Sequence, residues 1–472
     1  MKQIAALEVD IGVSKLHVGA VSLADGTSIA ESETPYQWDV LADGRGEINP
    51  DKIWNVAQDA LEGVLHQLDM DRVEIKALSF SCFGDCFVGV DEAGDPVYPM
   101  LLFSDQRAMG LEDEILSQVH GRSYARITGG PLTGAYVFAK MYWMKKNVPQ
   151  IYEKVDAFYN IQQFMLRRMG LPPVTDYGMA ARKMMFDVEK LEWAPELCGI
   201  LEKNPSCFGE TAEAATVVGR IRRFGRVELP CEVAVVLGAH DAQCGYLGLG
   251  VKPDNRDNVI ANNAGTYNLF GTLSRNRLVL DSPIITPGCG PVRGSYHFQA
   301  GEMIGPTMDW FTRKIAHSDL STLFGKARFD ASCRVRMTRD PINGDGAFEG
   351  ISVLHDEIDL FTGMIESFTL PMKGWYEAMK STAREGRFST MRIGAGGAKS
   401  DAWIQLKANI LGIPVEKVQN LQSSSVGLAM ICAVAMGECA DYGEACDRMV
   451  RVARVYEPDM KLYERYCERT DE

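Results

Sequence analysis

Two stretches of the chain, "AALEVDIGVSKLHVGAVS" at residues 5–22 and "VIANNAGTYNLFGTLS" at residues 259–274, repeat one design. Each passes from an apolar segment through a short polar side chain and a glycine turn into a second segment, the pattern of a β-hairpin. Laid over each other, they put Asn263 on Asp10 and Gly265 on Gly12. Any two hairpins with glycine turns would share this much. Because each hairpin also opens a long α/β stretch, the pattern points to a duplicated architecture whose halves face a common cleft. A chain of 472 residues, 46% of them hydrophobic, can bury more than one core.

The intervening sequence fits an α/β reading. "NPDKIWNVAQDALEGVLHQL" predicts a helix with Pro50 in its first turn and Ile53, Val56, Ala57, Ala60, Leu61 and Val64 on one face. "VEIKALSFS" reads as a buried strand and "CFVGVDEAGDPVYPMLLFS" continues in β fashion, after which helices dominate residues 110–168. "GVKPDNRDN", residues 250–258, is polar and turn-rich, a hinge candidate that divides the chain into residues 1–249 and 250–472. Near the end, strand "MRIG" meets a turn with Gly394, Gly396 and Gly397, then a helix carrying Trp403, Leu406, Ile410 and Leu411. Such glycines let a ligand approach backbone amides. The spacing is neither GxGxxG nor GxxxxGK[ST], which disfavours Rossmann and P-loop sites.

The formal charge is −14, from 49 basic and 63 acidic residues, which opposes steering of nucleic acid. Twelve cysteines occur without a CxxC pair, so they read as reduced and mostly buried. The apolar segment of "MKQIAALEVDIG" is too short for a signal peptide and no run of about 18 apolar residues follows, so a cytoplasmic protein with no membrane partner is expected.

The stretch "VLGAHDAQCGYLGLG", residues 236–250, sets His240 and Asp241 where an apolar strand turns into a helix. An N-cap would account for Asp241. The small residues Ala242, Cys244, Gly245 and Gly248 equally make room for a ligand.

Taken in order, these segments resemble the FGGY family of carbohydrate kinases, within the actin-like ATPase superfamily. "LEVDIGVSKLHVGAVS" is similar to the family's first phosphate loop and "FVGVDEAGDPVYPMLLFSDQRA" to its sugar-side hairpin. "TDYGMAARKMMFDVEKLEW" is similar to a T-D-Y-S-x-A-S segment, and "GAHDAQCGYLGLG" to a G-x-D-x-x-A-G-x-x-G block. "NNAGTYNLF" resembles the second phosphate loop, "GAGGAKSDAWIQLKANILGIPV" the adenosine motif and "VGLAMICAVAMGECAD" the helix after it. The resemblance implies two ribonuclease H-like α/β domains with a cleft between them, and ATP-dependent phosphorylation of a hydroxyl on a ketopentose, deoxyketohexose or polyol.

In that reading Asp241 is the general base and Asp10 helps hold Mg²⁺ through water, since Mg²⁺ keeps much of its hydration and prefers oxygen ligands. Gly12, Ser14, Gly265 and Thr266 offer donors to the phosphates; Gly396, Gly397 and Lys399 border the adenosine. Asp10 could instead cap its turn, and Lys399 could be a solvated charge. The segment "SCFGDCF" departs from the S-G-Q-M-H-G of many pentulose kinases, making Phe83, Gly84 and Asp85, with Asp105 and His240, the candidate sugar contacts. Either aspartate could be a turn carboxylate, and His240 could simply pack or cap. Phe83-Gly84-Asp85 and Gly238-Ala239-His240-Asp241 lean towards kinases of deoxyketoses such as fuculose and rhamnulose, although Ala242 replaces their usual threonine. Val13 stands where a hydroxyl residue is common, and "QSSSVGLA" lacks a usual glutamate. Dimers are common among such kinases, a state no residue pattern here establishes. The competing readings are a non-catalytic actin-like protein that binds nucleotide or sugar, and an unrelated α/β enzyme using His240 and Asp241 as an acid–base pair.

Overall fold

The structure is a computed structural model that describes residues 2–40, 45–103, 105–279, 284–340 and 345–470. Its first sheet is built on the N-terminal hairpin. Gln3–Ile11 pairs antiparallel with Lys15–Ser22, which pairs with Ser28–Pro35. On its other side Gln3–Ile11 runs parallel to Val73–Cys82, and that strand runs parallel to Val227–His240. Val217–Phe224 closes the edge.

The second sheet repeats this order. Val259–Ala264 pairs antiparallel with Tyr267–Ser274 and parallel with Thr390–Gly394, which runs parallel to Val415–Val418. Tyr296–Met303 lies beside the hairpin on one flank and Val452–Tyr456 closes the other. The duplicated hairpins thus occupy equivalent positions in two sheets of matching topology, the fold expected of two ribonuclease H-like domains.

Helix Pro50–Gln67 begins as its sequence predicts, with Pro50 in the first turn and the Asn49 side chain accepting the Asp51 N–H at 2.9 Å. It buries Ile53, Trp54, Ala57, Ala60, Leu61 and Val64 against the first sheet, the branched side chains Ile53, Leu61 and Val64 being worth about 1.5–3 kcal/mol each. Val56, expected on that face, is only partly buried at its margin. The segment after Val73–Cys82 is less regular than expected, with only Val88–Val90 and Met100–Leu101 forming strands. The helical stretch beyond it contains one short strand, Ala157–Tyr159.

The two halves share a core. Helices Asp241–Gly248 and Ser423–Ala435 lie between the sheets, where Tyr246, Leu247, Val426, Leu428 and Met430 pack with Ala6 and Val236 of one half and Val259 and Leu273 of the other. The helices approach so closely that a Cβ on Gly427 would lie 1.9 Å from the Cys244 carbonyl oxygen. The segment read as a hinge is pinned rather than loose: Asn255 is buried and its side chain bonds the Val259 backbone and Thr272 Oγ1, while Lys252 pairs with Asp257 and Asp447. All twelve cysteines are free thiols, eight of them buried. No helix among the described residues is long and apolar enough to cross a membrane.

Candidate active site

Three of the four acidic residues singled out in the sequence, Asp10, Asp85 and Asp241, gather at the carboxyl ends of three adjacent parallel strands. Asp10 is in register with Ser81, and Ser81 with Ala239; Asp85 and Asp241 lie just beyond the ends of their strands. Strand ends of this kind are where open α/β sheets bind ligands. The strand leading to Asp241 slips register between Val236 and Ala239, where a Cβ on Gly238 would lie 1.8 Å from the Phe80 carbonyl oxygen. This bulge re-aims the chain just before the acid.

Asp241 is the first residue of helix Asp241–Gly248, and His240 is the cap residue. Its Oδ1 accepts the Ala242 N–H at 2.6 Å and lies 3.3 Å from His240 Nε2. Burial, followed by the negative charge of Asp10, pushes its pKa up to about 7, against the pull of the Ala242 amide and Arg182. A carboxylate so poised can take a proton at neutral pH. Burial, reinforced by Arg182 and His297, holds the His240 pKa well below its ordinary value. The contact is therefore one of a neutral imidazole with a carboxyl group.

Asp10 carries a buried oxygen, Oδ1, with no hydrogen-bond partner among the described residues. Burial and the nearby Glu8 charge raise its pKa to about 6, while Ser81, His17 and Lys15 oppose the rise. A buried carboxylate oxygen without a protein donor suits a hydrated divalent cation. Among the described residues no group of three or more His, Cys, Asp or Glu could hold a metal. A cation held at Asp10 therefore has to keep water or phosphate oxygens as its other ligands.

The phosphate-loop candidates behave unevenly. Gly12 N–H donates to the Lys15 carbonyl at 3.1 Å and Gly265 N–H to the Tyr267 carbonyl at 2.9 Å, so both glycine amides close their own turns. Ser14, Gly265 and Thr266 are exposed at the turn tips. Tyr36 Oη donates to the Gly12 carbonyl and Trp38 Nε1 to that of Val13 at 2.7 Å, bracing the first loop from below.

Among the candidate sugar contacts, Phe83 is buried edge-on against Trp38, with centroids 5.9 Å apart. Gly84 is required by space, because a Cβ there would lie 2.9 Å from His240 Nε2 and 3.0 Å from Arg182 Cγ. Asp85 has φ of 60°, a left-handed conformation costly for a residue with a side chain. Two groups hold it there: Arg182 Nη2 donates to its Oδ2, and buried Lys140 donates to its carbonyl at 3.2 Å and to those of Leu102 and Phe103. Asp105 presents no free oxygen. Its two oxygens accept from Gly46 N–H, Arg107 N–H, Arg107 Nε and Arg107 Nη2, filling the lone-pair sites a carboxylate offers. That geometry matches the turn-carboxylate alternative.

Arg182 and Lys140 escaped the sequence reading. Arg182 follows the short helix Tyr177–Ala181, whose N-cap is Asp176, inside a segment recognised only as a motif. Nothing in the linear order tells that its guanidinium meets Asp85, far away in the chain.

Across the cleft, the second half supplies a cavity of about 850 Å³. Gly265, Gly396, Gly397 and Lys399 border it, and Met308, Leu320, Phe324 and Trp403 give it apolar walls. Phe324 stacks on Trp403 with centroids 5.8 Å apart. Gly397 cannot carry a side chain, since a Cβ would lie 2.6 Å from Ala264 Cβ. Ala395, which precedes this turn, has φ of 58° and is the strained residue of the loop. Lys399 is exposed at the rim.

Two sheets of matching topology, with a row of acids at the strand ends of one and a glycine-bordered cavity at those of the other, make up a two-domain fold of the actin-like class. The description "FGGY family of carbohydrate kinases, N-terminal domain" matches residues 5–248, and the corresponding C-terminal domain matches residues 330–436. The chain belongs to the FGGY family of carbohydrate kinases. It is 23% identical over 482 residues to a xylulose kinase of Staphylococcus epidermidis, covering 98% of this chain and 94% of that one. It is 22% identical to the L-fuculokinase of Escherichia coli, covering 93% and 94%. The solved xylulose kinase of Lactobacillus acidophilus superposes with a TM-score of 0.83 at 19% identity, covering 99% of this chain and 98% of that one.

Proposed function

We propose that the protein transfers the γ-phosphoryl group of ATP to a hydroxyl of a small sugar or polyol, with Asp241 as the general base. Asp241 Oδ2 or Oδ1 takes the proton of the acceptor hydroxyl as its oxygen bonds to the γ-phosphorus, and the bond from phosphorus to the β–γ bridging oxygen breaks to release ADP. The exposed turns at Ser14 and Thr266 approach the phosphates from the two halves, and the cavity beside Gly396 and Gly397 takes the adenosine. Mg²⁺, when bound near Asp10, supplies charge neutralisation for the phosphates. Phe83 walls the acceptor side, Gly84 keeps it open, and Asp85 and His240 face the acceptor. The division near Gly250 separates an acceptor half from a nucleotide half.

The observation that carries this reading is the state of Asp241: a largely buried acid at the strand ends, with its pKa pushed up to about 7 by burial and by Asp10. The names of the relatives make D-xylulose and L-fuculose the first acceptors to try. The test is ADP release from Mg-ATP with and without each acceptor. Acceptor-dependent release supports the kinase reading. Nucleotide binding without such release would favour a sensor, and indifference to ATP would remove both.

A further inference from the structure

Arg182 is 5% exposed, yet two of its nitrogens, Nε and Nη1, have no partner among the described residues. The same holds for Asp85 Oδ1, although Asp85 Oδ2 accepts from Arg182 Nη2. Unpaired buried donors and acceptors are expensive, so a pair that leaves both beside each other is prepared for a ligand that supplies both. A hydroxyl is such a ligand, since it donates and accepts. The surroundings say where the pair points. The Arg182 charge acts on Asp241 and His240, and its guanidinium lies 5.9 Å over the Tyr136 ring.

We infer that Arg182 and Asp85 act as one specificity-determining unit, a donor–acceptor pair that reads neighbouring hydroxyls of an uncharged sugar or polyol and rejects the corresponding aldonic acid. The inference rests on the kinase reading above and deepens it. Its physical basis is charge balance. The guanidinium is already compensated by Asp85, so a carboxylate on the ligand would find no spare positive charge there and would stand against Asp85 and Asp241. Like charges brought together in a desolvated site select strongly against the wrong partner. The rigid fork of arginine fixes the direction of its two free N–H groups, which a lysine would not reproduce. The strained backbone of Asp85, held by Arg182 and by Lys140, keeps Oδ1 from turning away to solvent.

The test measures binding by calorimetry and ADP release in parallel, with D-xylulose, L-fuculose and glycerol as neutral probes and D-gluconate as the anionic one. Wild-type protein is expected to bind at least one neutral probe more tightly than gluconate. Arg182→Gln is expected to weaken that neutral probe by roughly tenfold or more while leaving the affinity for ADP within about twofold. Arg182→Lys should rescue little of it. Asp85→Asn frees the guanidinium charge and is expected to shift the neutral-to-gluconate preference towards gluconate by roughly tenfold. Should a single variant fail to fold, the double variant Arg182→Gln/Asp85→Asn removes both charges together and is expected to fold but to lose neutral binding. Gluconate bound as tightly as the best neutral probe in the wild type would overturn the inference. So would a wild type that binds none of the four, or variants that shift melting temperature but not the binding preference. Binding that follows the pair without any ADP release would instead remove the kinase reading and leave the pair standing.

Discussion

The two sides of the cleft are built on opposite terms. Around Asp241 the first half leaves buried polar atoms without partners among the described residues: Asp10 Oδ1, Asp85 Oδ1, Arg182 Nε and Nη1, and His240 Nδ1. Around the cavity of the second half the walls are Met308, Leu320, Phe324 and Trp403, and the turn offers glycine backbone. The first is prepared by charge and unsatisfied hydrogen bonding, the second by shape. A duplicated fold has thus diverged by what fills the ends of equivalent strands: Asp10 in one hairpin stands where Asn263 stands in the other. Asn263 is tied down, its Oδ1 accepting from Ser423 Oγ at 3.2 Å.

Removing the charge on the first side is the strongest way to break this contrast. Asp241→Asn is expected to lower acceptor-dependent turnover by about 10²–10⁴-fold, the range of general base catalysis, with ADP affinity unchanged in a titration. The same variant tests the cost of that charge. The folded pKa of about 7 lies above the ordinary value of 3.8, so between these limits the folded protein holds a proton the unfolded chain has released, and stability falls as pH rises through the window. The melting temperature of Asp241→Asn should therefore exceed that of the wild type at about pH 8, with the gap closing towards about pH 4.

A smaller effect is expected from pH alone. Because the base must be ionised, kcat/KM for the acceptor should rise with pH through about 7, and the limb should vanish from the residual activity of Asp241→Asn. A profile flat between about pH 6 and 8 would detach Asp241 from the proton transfer.

On the second side, shape is the lever. Gly397→Ala sets a methyl group 2.6 Å from Ala264 Cβ and 3.0 Å from the Trp403 ring, at a cost of about 1–3 kcal/mol. Its KM for ATP should rise roughly tenfold while the acceptor KM stays near its wild-type value. Equal shifts in both would blur the division of labour. The smallest change is expected from Tyr36→Phe, which removes one bond to the Gly12 carbonyl, worth about 1 kcal/mol, and should raise the KM for ATP by a few-fold at most.

Much of the fold was legible because it is written in local periodicity. The hairpins at Asp10 and Asn263, the helix from Pro50, the strand into Asp241 and the glycine turn before Trp403 each follow from alternation, turn residues and apolar faces within a single window. The positions of Asp10 and Asp241 at strand ends followed from the same patterns, whereas Asp85 was singled out only through the family resemblance. The partly irregular stretch after Val73–Cys82 was less legible, since apolar residues there serve packing against helices and not a ladder.

The sequence by itself determined which residues stand at turns and strand ends, because backbone conformation answers to near neighbours. Tertiary structure alone decided what those residues do to one another. It saturated Asp105 with Gly46 and Arg107, brought Arg182 to Asp85, and set Lys140 beneath the strained loop. It also raised the proton affinity of Asp241 through burial and the charge of Asp10. Desolvation and Coulomb interaction depend on distances across the fold, which no window of sequence contains.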